Sequence, residues 1–245
     1  MESKSSNYVY DNVIQINDAD ASRKFLANVF LWMFVALGLS AFCAYFFASD
    51  PTLFAMLRNP ETGGNTVLGT IVMFAPLAFV LLISFGFNRL SYGVLTLLFI
   101  AFAVILGISL SYILLAYTAG SVLGVFLTAS LLFGIMAVAG YTTQQDLTKF
   151  GAILTMFLIG IIIASLINVF LLHSSGLDMI ISYVGVAVFV GLTAYDVQKL
   201  KRIGAGLEYG DASGKKIAIM GALTLYLDFI NLFLMLLRVF GRRNN

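Results

Sequence analysis

Charged residues are scarce in this sequence. Only 11% of its 245 residues are Asp, Glu, Lys or Arg, and the formal net charge is +2 at pH 7. The basic residues do not gather into a stripe interleaved with aromatic side chains, which is the arrangement that holds the phosphates and bases of nucleic acids. A nucleic-acid partner is therefore excluded.

Cysteine and histidine each occur only once. Cys43 lies in an apolar stretch and cannot form a disulfide within the chain, so we interpret it as a small buried side chain. His173 lies in a predicted turn and cannot build a histidine-rich zinc site. The GxSxG, P-loop, HExxH and CxxC patterns are absent, and the last apolar segment has no central lysine for a retinal Schiff base. We expect neither an enzyme nor a resident cofactor.

Hydrophobic residues, by contrast, make up 60% of the chain, and the mean hydropathy is +0.98. These values lie outside the range of soluble globular proteins and predict an all-α, polytopic membrane protein. We predict a polar cytoplasmic tail over residues 1–22 and one seven-helix transmembrane domain over residues 23–245. The predicted spans are about 25–48, 66–87, 92–117, 122–140, 152–172, 179–199 and 217–238.

Glycines inside these spans are predicted to let helix backbones approach each other closely. We assign them no chemical role. They are Gly38, Gly107, Gly124, Gly134, Gly160 and Gly185.

The distribution of lysine and arginine predicts the orientation of the chain. With a cytoplasmic N-terminus, the basic residues on the cytoplasmic side are Lys4, Arg23, Lys24, Arg89, Lys149, Lys199, Lys201, Arg202, Lys215 and Lys216. Those on the other side are Arg58, Arg238, Arg242 and Arg243. This distribution favours a cytoplasmic N-terminus. The three arginines after the last span favour the opposite, which a re-entrant seventh segment would reconcile, but we expect seven full crossings.

One carboxylate, Asp228, lies at the centre of the last apolar segment. A charged side chain at this depth costs about 2.5 to 3.5 kcal/mol, so it usually has a function. Thr224 lies four residues before Asp228 and Asn231 lies three residues after it, so the three side chains form a supporting polar stripe on one side of a helix. We predict that this stripe faces protein or water.

A second acid, Asp196, lies at the end of the sixth span. It could form an ion pair with Lys199, three residues further on. Alternatively it could meet Asp228, and two carboxyl groups in a low-dielectric site would share one proton. The apolar segments place Asp228 roughly 16 Å from the start of its run and Asp196 about 6 Å from the end of its own, so the second arrangement requires a helix offset.

A carboxyl pair of this kind has two physical uses. Protonated, it would clasp two helices; deprotonated, it would repel itself and offer oxygen ligands to Ca²⁺. We predict Asp196 and Asp228 as a pH sensor and gate and as a transient calcium site. Arg89, after the second span, is a candidate counter-charge, with a headgroup anchor as its alternative. Asp146, in a predicted loop, is interpreted as solvated surface.

Three segments resemble the Bax inhibitor-1 family of seven-helix membrane proteins, also called transmembrane Bax inhibitor motif proteins, and in particular its bacterial members. The last span reads LYLDFINLF over residues 225–233, followed by Leu237-Arg238. The sixth span ends in Tyr195-Asp196-Val197-Gln198, and Asp146-Leu147-Thr148 with Gly151 precedes the fifth. The resemblance covers nearly all of the chain after residue 22. Val197 departs from the family pattern, in which threonine is common.

The resemblance implies a bundle around a central seventh helix in the bacterial inner membrane, with Asp196 and Asp228 gating a pH-sensitive calcium leak. Arg89 matches the basic residue that can pair with these acids. The main hypothesis is therefore a passive Ca²⁺ pathway that is closed while the pair holds its proton. The alternative is a non-conducting regulator that binds a membrane protease or a stress-response partner through its polar tail. Proton-coupled transport of a small solute is a third hypothesis.

Overall fold

Helices form almost all of the described chain. The computed structural model describes residues 18–207 and 212–244. Within these ranges there are eight α-helices and a π-helical turn, Asn168–Leu172. The α-helices are α1 (Asp18–Ser49), α2 (Pro51–Leu57), α3 (Val67–Gly86), α4 (Tyr92–Ala116), α5 (Ala119–Thr142), α6 (Thr148–Ile167), α7 (Ser175–Ala205) and α8 (Ala212–Phe240).

Seven of the helices, all except α2, are long and apolar enough to cross a membrane. This confirms the predicted all-α fold with seven spans. The short helix α2 occupies a segment predicted as loop. Its start is encoded locally, because the Asp50 carboxylate accepts a hydrogen bond from the Thr52 amide at 2.8 Å and Pro51 supplies the first helical residue.

The ends of the helices differ from the ends of the predicted spans. Helix α1 begins at Asp18, so residues 18–22 are helical and do not belong to a tail; residues 1–17 of the predicted tail lie outside the described ranges. Helix α7 extends from Ser175 to Ala205, beyond the predicted 179–199, and α8 begins at Ala212. Hydropathy marks the part of a helix inside the hydrocarbon core, whereas polar end turns continue the same helix outside it.

Helix α8 occupies the centre of the bundle. About two thirds of its membrane-spanning part (67%) is buried, compared with 17% for the spans built on α3 and α6. It packs against α1, α4, α5 and α7. The predicted central position of the seventh span is confirmed.

Contacts at its two ends show that α8 crosses the whole bundle. Near its start, Lys216 Nζ lies 5.0 Å from the centre of the Phe87 ring, in the turn after α3. Just beyond its end, the Arg242 amide donates to Ser121 Oγ at 2.9 Å, at the start of α5. We call these two ends the amino rim and the carboxyl rim. The alternative of a re-entrant seventh segment is therefore wrong.

The glycines inside the spans fall into two groups. Gly107 lies against the backbone of Ser40, and Gly185 lies against the side chain of Met235, so both allow the predicted close approach. A methyl group placed on the remaining four, Gly38, Gly124, Gly134 and Gly160, would meet no atom within 4 Å, and for these the prediction is wrong. In a helix that is apolar on every side, sequence alone does not identify which side meets protein.

A buried tyrosine links α8 to α1 and α4. The Tyr226 side chain is fully buried, and its ring packs edge-on against Phe99 and Phe102 at centroid distances of 6.3 and 5.5 Å. Its hydroxyl lies 2.6 Å from Ser40 Oγ, which donates to the Ala103 carbonyl at 2.7 Å. Because Ser40 has a single hydroxyl proton, Tyr226 must be the donor in their shared bond.

Candidate functional site

The antiparallel register of α7 and α8 brings two acids together. Gly185 of α7 faces Met235 of α8, and Gly221 of α8 faces Leu200 of α7. Between these two contacts the carboxyl groups of Asp196 and Asp228 face each other as hydrogen-bond partners. The expected difficulty of offset does not arise, because α7 continues nine residues beyond Asp196 to Ala205.

The pair is buried unequally. Asp228 is 6% exposed, whereas Asp196 is half-buried. Oδ2 of Asp228 is buried without a hydrogen-bond partner, the single side-chain atom in that state within residues 18–207 and 212–244. Two carboxylates offer each other only lone pairs, so a hydrogen bond between them requires a proton on one. The arrangement therefore accommodates one shared proton. Loss of that proton would leave two negative charges facing each other at a buried position.

The alternative ion pair between Asp196 and Lys199 is not formed. The two ion pairs among the described residues are Arg23 with Asp20 and Arg202 with Asp146. The Lys199 side chain is exposed, and its Nζ lies 5.9 Å from the centre of the Tyr195 ring. Its cation–π contact keeps the ammonium at the surface.

Arg89 does not accompany the acids. It lies exposed in the turn after α3, two residues beyond Phe87, which contacts Lys216 near the start of α8. Twelve residues separate Lys216 from Asp228, which corresponds to about 18 Å along a helix. The structure places this guanidinium at the amino rim, in agreement with its alternative assignment as a headgroup anchor.

The polar stripe around Asp228 is sheltered from lipid, although its members do not act together. The Thr224 hydroxyl donates to the Met220 carbonyl of its own helix at 3.1 Å. Asn231 is half-buried one turn beyond Asp228. The stripe makes one side of α8 less apolar. Of its three members, only Asp228 faces an ionisable side chain, that of Asp196.

Two cavities are each lined by the residue that follows one of the acids in the sequence. Toward the carboxyl rim, a cavity of 480 Å³ between α1, α4, α5 and α8 begins at Phe229, the neighbour of Asp228, and is lined almost entirely by apolar side chains. Toward the amino rim, a cavity of 370 Å³ begins at Val197, the neighbour of Asp196, and includes Arg23 and Tyr141. Neither Asp196 nor Asp228 lines either cavity itself; in each case the next residue of the helix does.

The pair offers a cation few ligands. No group of three or more Asp, Glu, His or Cys side chains able to hold a metal occurs in the part of the chain that the structure describes. Calcium prefers six to eight oxygen ligands, so two carboxyl groups suit a passing ion better than a resident one.

Sequence reasoning missed a polar clamp beside Asp196. The buried Gln198 amide donates to the Gln145 carbonyl at 2.7 Å and accepts from the Leu147 amide at 2.9 Å. Arg202, one turn further along α7, reaches the Asp146 carboxylate at 2.9 Å. The clamp fixes the loop between α5 and α6 to α7, two residues from Asp196. The glutamine two residues after Asp196 in the motif Tyr195-Asp196-Val197-Gln198 was the available signal.

Asp146 itself is exposed but not simply solvated. Its carboxylate accepts from the Thr148 hydroxyl at 2.7 Å and the Thr148 amide at 3.0 Å. These bonds, with Arg202, lower the pKa of Asp146 to about 2. The interpretation of Asp146 as plain surface is corrected: this carboxylate organises the loop and remains ionised throughout the neutral range.

Sequence comparisons identify relatives of this chain. The sequence model of the family described as "Inhibitor of apoptosis-promoting Bax1" matches residues 22–245. The chain is 47% identical over 220 residues to Inner membrane protein YbhL of Escherichia coli (strain K12), an alignment that covers 89% of this chain and 92% of that protein. It is also 42% identical over 223 residues to an uncharacterized protein of Rickettsia prowazekii, covering 91% of each.

Proposed function

The chain belongs to the Bax inhibitor-1 family, and from that premise we propose that it is a pH-sensitive calcium leak channel gated by Asp196 and Asp228. Calcium is the transported ion in this proposal, with no resident cofactor and no enzymatic step. The observation that carries the proposal is the buried Oδ2 of Asp228, which lacks a partner while its carboxyl group faces another acid.

The gate works through the charge of the pair. With one shared proton, Asp196 and Asp228 bond α7 to α8. After that proton is lost, two negative charges face each other, and at 4 Å two unit charges repel by about 4 kcal/mol in a medium with an effective dielectric constant near 20. Two conformations of a protein commonly differ by only a few kcal/mol, so this repulsion is sufficient to shift their populations.

The cavities supply the two halves of the proposed pathway. The larger one has apolar walls from Phe229 to the carboxyl rim, and a narrow apolar section resists hydrated ions. Separation of α7 from α8 would widen its inner end and expose carboxylate oxygens there. In this proposal the closed state has a protonated acid pair and an apolar cavity wall.

The relative in Escherichia coli is named an inner membrane protein. We assign this chain to the same kind of membrane, with the amino rim on the cytoplasmic side. Lysine and arginine residues cluster at that rim, as the positive-inside rule requires. The lipid bilayer is then the surrounding partner of every span.

The test is calcium flux into liposomes that contain the purified full chain, measured from pH 5 to 8. The native protein should leak more calcium as the pH rises. Asp228→Asn replaces the acid with an amide that cannot ionise, so its flux should be low and independent of pH. Asp146→Asn is the matched control: this exposed acid remains ionised across the whole range, and its replacement should leave the pH profile unchanged.

Two other outcomes would overturn the proposal. Absence of flux in the native protein at every pH would favour the alternative, a regulator that binds another membrane protein such as a protease. Flux that requires a small solute and moves protons with it would favour proton-coupled transport.

A further inference from the structure

The larger cavity has the chemistry of a lipid site. Its walls are formed by α1, α4, α5 and α8, and it reaches past buried residues such as Ala44, Ile230 and Phe233 to the level of Phe229. Its volume, 480 Å³, lies within the range of about 300–1,000 Å³ that is typical of small-molecule sites. One side of the cavity is open, where the exposed Tyr45 and Leu123 line it, and the buried residues close the other side.

Two of the three hydroxyl groups in the cavity wall are already hydrogen-bonded, and the third belongs to Tyr45, a side chain that is 69% exposed. Ser40 is bonded to Ala103 and Tyr226, and the Ser49 hydroxyl donates to the Phe46 carbonyl of its own helix at 3.2 Å. A buried water needs two to four polar partners, and apolar cavities bind apolar ligands. An acyl chain is therefore a better occupant than water.

The length of the cavity suits one leaflet of a bilayer. On α1 its lining extends from Leu37 to Ser49. These twelve steps correspond to about 18 Å of helix, slightly more than half of a hydrocarbon core of about 30 Å. The cavity thus extends from the middle of the membrane to the carboxyl rim.

Three arginines lie at the carboxyl rim, the rim at which this cavity ends. They are Arg238 in the last turn of α8, with Arg242 and Arg243 just beyond it, and all three are exposed. We call them the arginine cluster. Neither ion pair among the described residues includes any of them.

Hydrogen bonds hold the segment after α8, which carries Arg242 and Arg243, beside the turn between α4 and α5 at the cavity mouth. The Thr118 amide donates to the Arg242 carbonyl at 3.0 Å, and the Asn244 side chain donates to the Leu115 carbonyl at 3.0 Å. Leu115 and Ala119 both line the cavity. The nearby acid Asp50 is already engaged by Thr52. The mouth therefore combines an apolar opening with fixed positive charge.

We propose that this cavity binds one acyl chain of an anionic phospholipid, whose phosphate lies against Arg238 and Arg242. The site explains why three arginines lie at the rim that the positive-inside rule would leave poor in basic residues. Each arginine near an anionic headgroup contributes about a fivefold factor in affinity. This cavity is also the outer half of the proposed ion pathway, so a bound acyl chain belongs to the closed state; lipid binding is measured without ion flux and can therefore fail or succeed separately from calcium conduction.

The experiment is native mass spectrometry of the delipidated full chain in detergent, titrated with a phosphatidylglycerol and with a phosphatidylcholine of the same acyl chains. One phosphatidylglycerol should bind per protein, more tightly than phosphatidylcholine. Arg238→Gln with Arg242→Gln should weaken phosphatidylglycerol binding about 25-fold. These changes keep Arg243, whose guanidinium lies 5.9 Å from the Tyr117 ring centre.

A second variant tests the cavity itself. Ala41→Leu with Ala48→Leu fills it from the α1 side and should abolish binding of both lipids. Ala78→Leu with Ala152→Leu, at exposed positions away from the cavity, and Lys149→Gln with Lys215→Gln, at the amino rim, are the matched controls and should bind normally. Thermal unfolding without lipid verifies that each variant is folded.

Either of two results would overturn the proposal. Equal phosphatidylglycerol binding by the native protein and the cavity-filled variant would place the lipid on the outer surface. Displacement of the lipid by glycerol 3-phosphate, which has the phosphate but no acyl chain, would reduce the site to a simple anion site.

Discussion

Helices α8 and α6 are both membrane spans, yet they meet different surroundings. Most of α8 is buried among other helices, whereas 17% of the span that includes α6 is buried. The polar side chains of the two helices differ in the same way. Helix α8 carries Asp228 at mid-depth, while in α6 the Thr155 hydroxyl donates to Gly151 of its own helix at 2.8 Å. Lipid offers no hydrogen bonds, so a polar atom that needs a partner elsewhere requires protein around it.

The same comparison applies to packing. At the buried contact between α5 and α7, Gly140 lies directly against the backbone of Ala194. On the lipid-facing side of the same helix, Gly134 has no neighbour within 4 Å of the position that a methyl group would occupy. Small residues are therefore required at one position and merely tolerated at the other.

The largest effect should come from adding one methyl group at each of these glycines. Gly140→Ala forces that methyl into the Ala194 carbonyl and should lower the free energy of unfolding by about 3 kcal/mol, since overpacking costs about 1–3 kcal/mol or more. Gly134→Ala should raise it by up to about 1 kcal/mol, because alanine favours helix more than glycine does. Unfolding of both variants in detergent measures the difference; equal stabilities would contradict the contrast between the two sides of α5.

A smaller effect should follow from breaking the hydroxyl chain at the centre. Ser40→Ala leaves the buried Tyr226 hydroxyl without its partner and should cost about 1–3 kcal/mol of unfolding free energy. Adding Tyr226→Phe removes the unpaired group and should recover most of that loss. Thr128→Ala, at an exposed hydroxyl bonded within its own helix, should change stability by less than about 0.5 kcal/mol. A double variant as unstable as Ser40→Ala alone would show that packing, not the unpaired hydroxyl, sets the cost.

The smallest effect concerns the exposed acid Asp146. Its pKa in the folded protein, about 2, is lower than its ordinary value of 3.8, so its stabilising contribution is complete above pH 4 and is lost as the pH falls toward 2. Thermal unfolding of the native protein should therefore show an additional decline between pH 4 and 2 that Asp146→Asn lacks. Between pH 5 and 8 the two proteins should have parallel profiles, and a divergence there would contradict the assignment.

Much of the fold could be predicted because a membrane span needs a long apolar run, and seven such runs are plain in the sequence. Asp228 could be singled out for a related reason, because a charged side chain at that depth has a large free-energy cost. Asp196 was then the candidate partner on the preceding span. Other features had no such signal. The prediction that Gly134 and Gly160 allow close helix contacts was wrong, because these spans are apolar on every side and the sequence does not show which side meets protein. The position of Arg89 depends on how α3 meets α8, a long-range contact that residue types do not reveal.

The most buried span is also the one that is synthesised after the six others. The ribosome adds about 5–20 residues per second, so the 35 residues from Ala205 to Phe240 take roughly 2 to 7 s. During that interval the other six spans lack the helix that fills their centre, and Asp196 has no Asp228 to meet. The yield of the complete bundle therefore depends on whether α8 inserts before cellular proteases degrade the incomplete chain.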